Sequence, residues 1–148
     1  DLARNDLSRN STNVVVEKLC EIQFFSHVIH MVSKVTGQLD EGSNPVQVIY
    51  DSFPAGTLAG APKHKAMTLI DKYENGKRSY YGGAIGYIGF NGDVNMAIMI
   101  RTFLSKNNLL TYQAGAGIVV NSKPENERKE INNKIGALRK AINIAEQL

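Results

Sequence analysis

Alternating apolar residues mark several predicted strands. Residues 14–36 are rich in Val, Ile and Phe and alternate in places. This predicts mainly strand, in two pieces with a break near Lys18. The period of two returns from residue 80, which predicts an antiparallel meander with a turn at Asn91-Gly92-Asp93. Its three predicted strands cover residues 80–90, 94–104 and 109–120.

Two helices are predicted between these strand regions. The first covers residues 45–53, with Asn44 as N-cap and Pro45 at its first position. The second runs from Pro62 to Gly76, because proline favours a helix start and glycine a helix end. A Gly-rich loop is expected between the two helices.

The last predicted helix begins after Ser122, which would form a capping box with Glu125. At 100° per residue an apolar stripe spans about 80° of its surface. The members of this stripe are Ile131, Ile135, Leu138, Ile142 and Ala145.

Three charged residues of this helix, Glu127, Glu130 and Lys134, lie along the border of the apolar stripe. Carboxylates in that position are expected to be partly buried, and buried charge is costly unless it is paired or bound to a cation. A metal site is one interpretation. A surface helix is the other, because Glu130 and Lys134 form a favourable i, i+4 pair and the helix dipole favours acids near its start.

Composition limits the function classes. The 148 residues are 43% hydrophobic and 21% charged, as in an ordinary globular protein, and no apolar run approaches the ~20 residues of a membrane span. The basic residues behind the net charge of +3 are dispersed, which argues against a nucleic-acid binder. The single Cys20 excludes an internal disulfide and a cysteine-based zinc site. The opening DLARND lacks a signal-peptide pattern, so we expect a cytoplasmic protein.

Two glycine-rich stretches precede helices and are candidate anion sites. In residues 53–63, backbone amides and the Thr57 hydroxyl would face a ligand, although the spacing is not that of a P-loop. Gly115 and Gly117 precede the acidic helix, where their amides would contact a carboxylate. A capping loop and a sheet bend are the alternative explanations.

Three further residues have a chemical and a structural interpretation. His30 would suit acid catalysis, because histidine is the side chain that most often transfers protons in enzymes, but a histidine among apolar residues is more often a hydrogen-bonded core residue. His27 would point to the opposite strand face, so the pair is not expected to bind one metal. Arg101 would end an apolar strand and favour a carboxylate partner, which Tyr81 would share.

Seven motifs follow one another along nearly the whole chain. They are DLARNDLSR, HMVSKVTGQL, FPAGTLAGAPKHKAM, YGGAIGYIGF, IRT, QAGAGIVVNSKPENE and NNKIGAL. Their order and spacing resemble those of the chorismate-utilising enzymes, and most of all those of the component I chains of anthranilate synthases.

The resemblance implies a role for each candidate residue. Glu127 and Glu130 would help hold the Mg²⁺ that binds the ring carboxylate of chorismate. His30, which would assist departure of the C4 hydroxyl, and Thr57 are the catalytic candidates. The substrate-binding candidates are Tyr81, Arg101, Gly115, Gly117 and Lys134.

The implied reaction is that of a lyase of tryptophan biosynthesis. Ammonia, supplied from glutamine by a separate amidotransferase subunit, adds at C2 of chorismate, and elimination of pyruvate gives anthranilate. The implied fold is α+β, with the antiparallel sheets of a chorismate-binding β-sandwich and helices packed outside.

The chain also departs from the family pattern. A second Glu-x-x-Glu pair would fall before Asp1, as would the N-terminal half of such enzymes. We therefore expect residues 1–148 to be the C-terminal part of a chorismate-binding domain, inactive by itself. Unpaired strand edges would favour self-association.

Other functions stay open. Relatives within the family make aminodeoxychorismate, isochorismate or salicylate, although the PAGT stretch at residues 54–57 favours anthranilate synthase over aminodeoxychorismate synthase. A non-catalytic anion-binding or assembly module is the alternative from another class. Coupling between chorismate and Mg²⁺ binding would distinguish an enzyme from such a module.

Overall fold

A computed structural model describes residues 1–24 and 29–148. Within these residues the chain has five helices and three two-stranded sheets, which confirms the predicted α+β class. It divides into two units. The first contains residues 1–72 and 87–95, and the second contains residues 73–86 and 96–148.

The first unit contains a long antiparallel pair, β1 (Ser11–Phe24) and β2 (Ile29–Leu39). This confirms the strand prediction. The predicted break at Lys18 is wrong: β1 continues through it, and register shifts on both sides of Lys18 absorb the irregular pattern. Residues 25–28, which include His27, lie outside the described residues.

Four helices belong wholly or almost wholly to the first unit. α1 (Leu2–Leu7), which the sequence did not predict, contacts both strands as well as α2 (Pro45–Ser52) and α3 (Gly56–Ala59). The α2 prediction is confirmed, since the Asn44 side chain accepts a hydrogen bond from the Val46 amide at 2.9 Å. α3 replaces part of the expected loop, and α4 (Lys63–Tyr73) ends before the predicted Gly76.

The predicted three-stranded meander is wrong as one sheet. β3 (Ala84–Ile88) pairs with β4 (Val94–Ile98), while β5 (Leu104–Lys106) pairs separately with β6 (Leu109–Thr111). The predicted turn at residues 91–93 is confirmed by a 2.7 Å hydrogen bond from the Gly89 amide to the Asp93 carbonyl.

Backbone conformation explains the shorter strands. Arg101, with a φ of 52°, interrupts the long predicted strand between β4 and β5. Asn107 and Asn108 have φ values of 52° and 58°, as a tight hairpin turn requires. The third predicted strand ends at Thr111, before the glycines at 115 and 117 that weaken strand structure.

α5 (Pro124–Ala145) confirms the last helix but not its cap. The N-cap is Lys123, without a side-chain hydrogen bond, while the Ser122 hydroxyl accepts from the Val119 amide at 3.0 Å. The predicted capping box is therefore wrong. In the apolar stripe Ile135 is buried, and Ala145 at the far end is exposed.

Few of the described residues are buried. Ala59, Tyr81 and Ile135 are the buried apolar residues of the described part, whereas Phe24 and Met31 on the β1–β2 pair are 78% and 72% exposed. Such apolar exposure is typical of an interaction surface. Self-association stays a prediction. Among the described residues, no helix has the length and apolar character to span a membrane.

Candidate functional site

A lysine of α5 links the acidic helix to the glycine-rich segment in the second unit. The Lys134 ammonium donates to the Gly115 carbonyl at 2.9 Å and forms an ion pair with Glu130 at 2.6 Å. The sequence pattern of α5 explains why Lys134 lies beside the glycine-rich segment. The neighbouring Ile135 is buried, which places Lys134 at the edge of the apolar stripe. Three predicted site residues are thereby in contact.

Tyr81 lies at the same place. Its side chain is buried, and a Cβ built on Gly115 would lie 3.4 Å from its hydroxyl oxygen. The phenol hydroxyl therefore lies close to Gly115, at ordinary contact distance from a methyl group placed on its α-carbon. The structure thus brings together four predicted site residues, Tyr81, Gly115, Glu130 and Lys134.

A charged pair supports Tyr81 from behind. The Arg78 guanidinium lies 5.7 Å from the centroid of the Tyr81 ring, a cation–π distance. Arg78 Nε also donates to both carboxylate oxygens of Glu74, at 2.9 and 3.1 Å. Hydrogen bonding to Arg78 lowers the pKa of Glu74, and the same bond raises the pKa of Arg78. Both groups are therefore held in their charged forms beside the ring.

Gly117 has no conformational or packing reason to be glycine. A Cβ built on it would meet no atom within 4 Å, and its φ lies outside the positive range that favours glycine. The residue is also exposed. The space beside Gly117 is thus open to a molecule approaching the backbone.

The two candidate metal ligands differ in exposure. Glu127 is half-buried, as expected, but the Glu130 side chain is 51% exposed, so the expectation of burial is wrong for Glu130. The Glu130 carboxylate is paired with the Lys134 ammonium one helical turn later. Carboxylate oxygens suit Mg²⁺, and one or two of them are its usual protein ligands. The described part of the chain has no cluster of three or more potential metal-binding side chains, so this donor set comprises two carboxylates.

Arg101 is half-buried, three residues beyond the end of β4. The prediction that it ends the strand is therefore wrong. Its φ of 52° is uncommon for a residue with a side chain and costs on the order of 1 kcal/mol. Such conformations cluster at functional sites.

The two catalytic candidates belong to the first unit, whereas the other predicted site residues belong to the second. His30 is half-buried on β2, where it pairs with Gln23 in the strand register. Thr57 is exposed on α3, next to the buried Gly56. The amides of Leu58, Ala59 and Gly60 donate to backbone carbonyls of residues 55 and 56. These three amides are therefore already engaged within the segment. For the other amides of residues 53–63, anion binding stays a prediction.

Sequence reasoning missed two polar contacts near these residues. The Glu74–Arg78 pair has a visible signal, because an acid four residues before an arginine is a favourable pair. The second contact joins Lys63 of α4 to Asp6 of α1, with 2.9 Å between Nζ and Oδ1. These residues are far apart in the sequence, and no local pattern indicates that they meet.

Comparison with known proteins assigns the family. A model of chorismate binding enzymes matches residues 1–140. The chain belongs to this family. Over the whole chain it is 50% identical to anthranilate synthase component 1 of Bacillus subtilis strain 168, and it covers 29% of that protein. The chain thus spans under a third of the length of this relative.

Two solved structures share the fold of this chain. Anthranilate synthase component I from Streptococcus pneumoniae has a TM-score of 0.85 and 44% identity, over 91% of this chain and 32% of that one. A putative 2,3-dihydroxybenzoate-specific isochorismate synthase from Bacillus anthracis has a TM-score of 0.87 and 26% identity, over 96% of this chain and 38% of that one. Both structures therefore have the fold of this chain, and the anthranilate synthase component is the more similar of the two in sequence.

Proposed function

We propose that this chain is the C-terminal part of the chorismate-binding domain of an anthranilate synthase component I. This lyase converts chorismate and ammonia to anthranilate and pyruvate. The identity of 50% over the whole chain is the observation that carries the proposal. The grouping of Tyr81, Gly115, Glu130 and Lys134 supports it, because four nominated residues meet at one place.

Lys134 is equipped to bind an anionic substrate. An ammonium has three N–H donors, and the contacts with Gly115 and Glu130 engage two of them. The third donor is directed to a carboxylate of chorismate. The bond to Gly115 also fixes the adjoining backbone, so that the amides near Gly115 and Gly117 receive the same substrate without reorganisation.

Tyr81 and Arg101 hold the enolpyruvyl carboxylate in this proposal. The phenol is positioned before the substrate arrives, because the ring is buried and Arg78 lies over it. Thr57 donates a hydroxyl hydrogen bond to a second carboxylate. His30, as a general acid, gives its proton to the departing C4 hydroxyl while ammonia adds at C2.

Glu127 and Glu130 would hold Mg²⁺ through their carboxylate oxygens. When bound, the ion supplies Lewis-acid polarisation and a template for the ring carboxylate. In this proposal Lys134 then orients Glu130. The ammonia comes from glutamine through a separate amidotransferase subunit, the reaction serves tryptophan biosynthesis, and the protein is cytoplasmic.

The test uses the protein at the full length that its gene encodes, incubated with chorismate, Mg²⁺ and ammonium. Mass spectrometry identifies the product. We expect anthranilate and pyruvate in equal amounts. At limiting Mg²⁺ both products should be lost in Glu127→Gln and retained in Glu125→Gln, which changes an exposed acid in the first turn of the same helix. Isochorismate, salicylate or aminodeoxychorismate as the product would reassign the chain within its family. The absence of any Mg²⁺-dependent product would favour the non-catalytic alternative.

A further inference from the structure

A half-buried lysine joins the two ends of the segment that carries Thr57. Lys63 Nζ donates to the Ser52 carbonyl at 3.1 Å and to Asp6 Oδ1 at 2.9 Å. Ser52 is the last residue of α2, and Lys63 is the first residue of α4. One ammonium therefore closes residues 53–62 into a loop and fastens that loop to α1.

The burial and the charge of this contact suit a stable attachment of the loop. The side chains of Lys63 and Asp6 are only 20% and 13% exposed, so the ion pair is largely shielded from water. The last carbonyls of a helix lack partners within it, and a cation near them also complements the helix dipole. Lys63 thus satisfies the end of α2 while its charge is balanced by Asp6.

A second contact independently seats the segment on α1. Gly56 is buried, and a Cβ built on it would lie 3.1 Å from Leu2 Cδ2 and 3.3 Å from Leu2 Cβ. The glycine therefore permits a close approach to α1. Ala59 is buried as well, while Thr57 is exposed between the two. The segment has its small residues packed inward and its hydroxyl outward.

A third contact steadies the helix that precedes the segment. The Asn10 side chain donates to Asp51 Oδ2 at 3.0 Å, and Gln47 donates to the other oxygen at 2.8 Å. The end of α2 is thereby held before the Thr57 segment begins. Both ends and the middle of residues 53–62 are consequently fixed by residues that carry no proposed role toward substrate.

We propose that Lys63 is a positioning residue, which holds residues 53–62 against Asp6 and the end of α2 so that the Thr57 hydroxyl is presented to substrate. The role of Thr57 rests on the proposed function. The fastening itself does not, because it is a property of the segment alone. If Lys63 is lost, the fraction of molecules with Thr57 in place falls, and the apparent affinity for substrate falls with it.

The first experiment measures hydrogen exchange of residues 53–62 by mass spectrometry in the full-length protein. The amides of Leu58, Ala59 and Gly60 are hydrogen-bonded within the segment and report its opening. We expect Lys63→Met to speed their exchange about tenfold or more, and Lys63→Arg to restore most of the protection. Lys65→Met, at an exposed lysine of the same helix, is the matched control and should change nothing.

The second experiment is a double-mutant cycle with Thr57→Val on the KM for chorismate. We expect each single variant to raise KM about tenfold and the double variant to raise it little further, because both changes remove the same contact. Asp6→Asn keeps an acceptor for Lys63 and is the milder substitute if Lys63→Met fails to fold. A role in folding alone would lower the amount of active enzyme and leave KM unchanged.

The outcomes separate the two proposals. Unchanged exchange in Lys63→Met would overturn the fastening. Faster exchange with strictly additive effects on KM would overturn the action through Thr57. A wild-type protein that consumes no chorismate would contradict the proposed function, and the exchange comparison would still decide whether Lys63 holds the segment.

Discussion

The Lys134 ammonium and the Gly115 carbonyl are 2.9 Å apart, and this bond ties α5 to the glycine-rich segment. The lysine therefore has a structural role, and the proposed function adds a role in substrate binding. Its charge also pairs with Glu130, so a neutral replacement removes two contacts besides any bond to substrate.

We predict that Lys134→Met raises the KM for chorismate at least tenfold. Thermal unfolding should also shift, because losing the partner of a half-buried carbonyl costs about 1–3 kcal/mol. The control is Lys140→Met, at an exposed lysine on the same helix. Steady-state kinetics and a thermal melt check both effects. A melt that shifts without any change in KM would make Lys134 purely structural.

Mg²⁺ dependence tests the two carboxylates separately. Glu127→Gln keeps the size of the half-buried side chain but removes its charge. The Mg²⁺ concentration for half-maximal activity should rise at least about tenfold, since even outer-shell changes weaken metal binding by that much. Glu125→Gln should leave the Mg²⁺ titration unaltered. Glu130→Gln should show the same rise as Glu127→Gln, together with the loss of the ion pair to Lys134.

Glu74 and Arg78 give a prediction for pH. Hydrogen bonding to Arg78 lowers the pKa of Glu74 from its usual 4.5, so the native state favours the carboxylate. The stabilisation is complete above the unfolded-state pKa and is lost as pH falls through the lower native value. The melting temperature of Glu74→Gln should therefore lie below that of wild type near neutral pH and approach it below about pH 4.5.

Arg78→Met supplies the control for that titration. It removes the partner that lowers the pKa of Glu74, so Glu74→Gln should add little pH dependence in its background. Because Arg78 also lies over the Tyr81 ring, Arg78→Met should raise the KM for chorismate as well. A constant difference between wild type and Glu74→Gln from neutral pH to pH 3 would contradict the assignment.

Local patterns predicted the parts of the fold that local interactions determine. Asn44 and Pro45 define the start of α2 because the cap bond spans only two residues. The apolar stripe of α5 placed Ile135 inward for the same local reason. The prediction of a strand over residues 109–120 was wrong beyond Thr111. The period of two continues past that residue, but among the described residues no strand pairs with the part that follows it.

The candidate site follows the same division. Glu130 and Lys134 could be paired from their spacing, because they are one helical turn apart. The approach of Tyr81 to Gly115 and of Lys63 to Asp6 depends on tertiary packing, which no periodicity encodes. The motif order identified the family even so, since it does not require knowledge of which side chains meet.

Gly115 and Gly117 should respond differently to the same substitution. Alanine at 117 meets no atom within 4 Å and needs no unusual φ, so the melting temperature of Gly117→Ala should equal or exceed that of wild type. Its methyl group would nevertheless occupy the open space beside the backbone. We expect the KM for chorismate to rise at least fivefold without loss of stability.

Gly115→Ala places a methyl group 3.4 Å from the Tyr81 hydroxyl, which is ordinary contact, so any loss of stability should be under about 1 kcal/mol. Gly136→Ala is the control for Gly117→Ala, because a methyl group added at either glycine meets no atom within 4 Å. Gly136 lies on α5, outside the glycine-rich segment. Unchanged KM in Gly117→Ala would mean that substrate does not approach this backbone. A rise in KM at unchanged stability would assign Gly117 to binding, since its own structure gives it no other reason to lack a side chain.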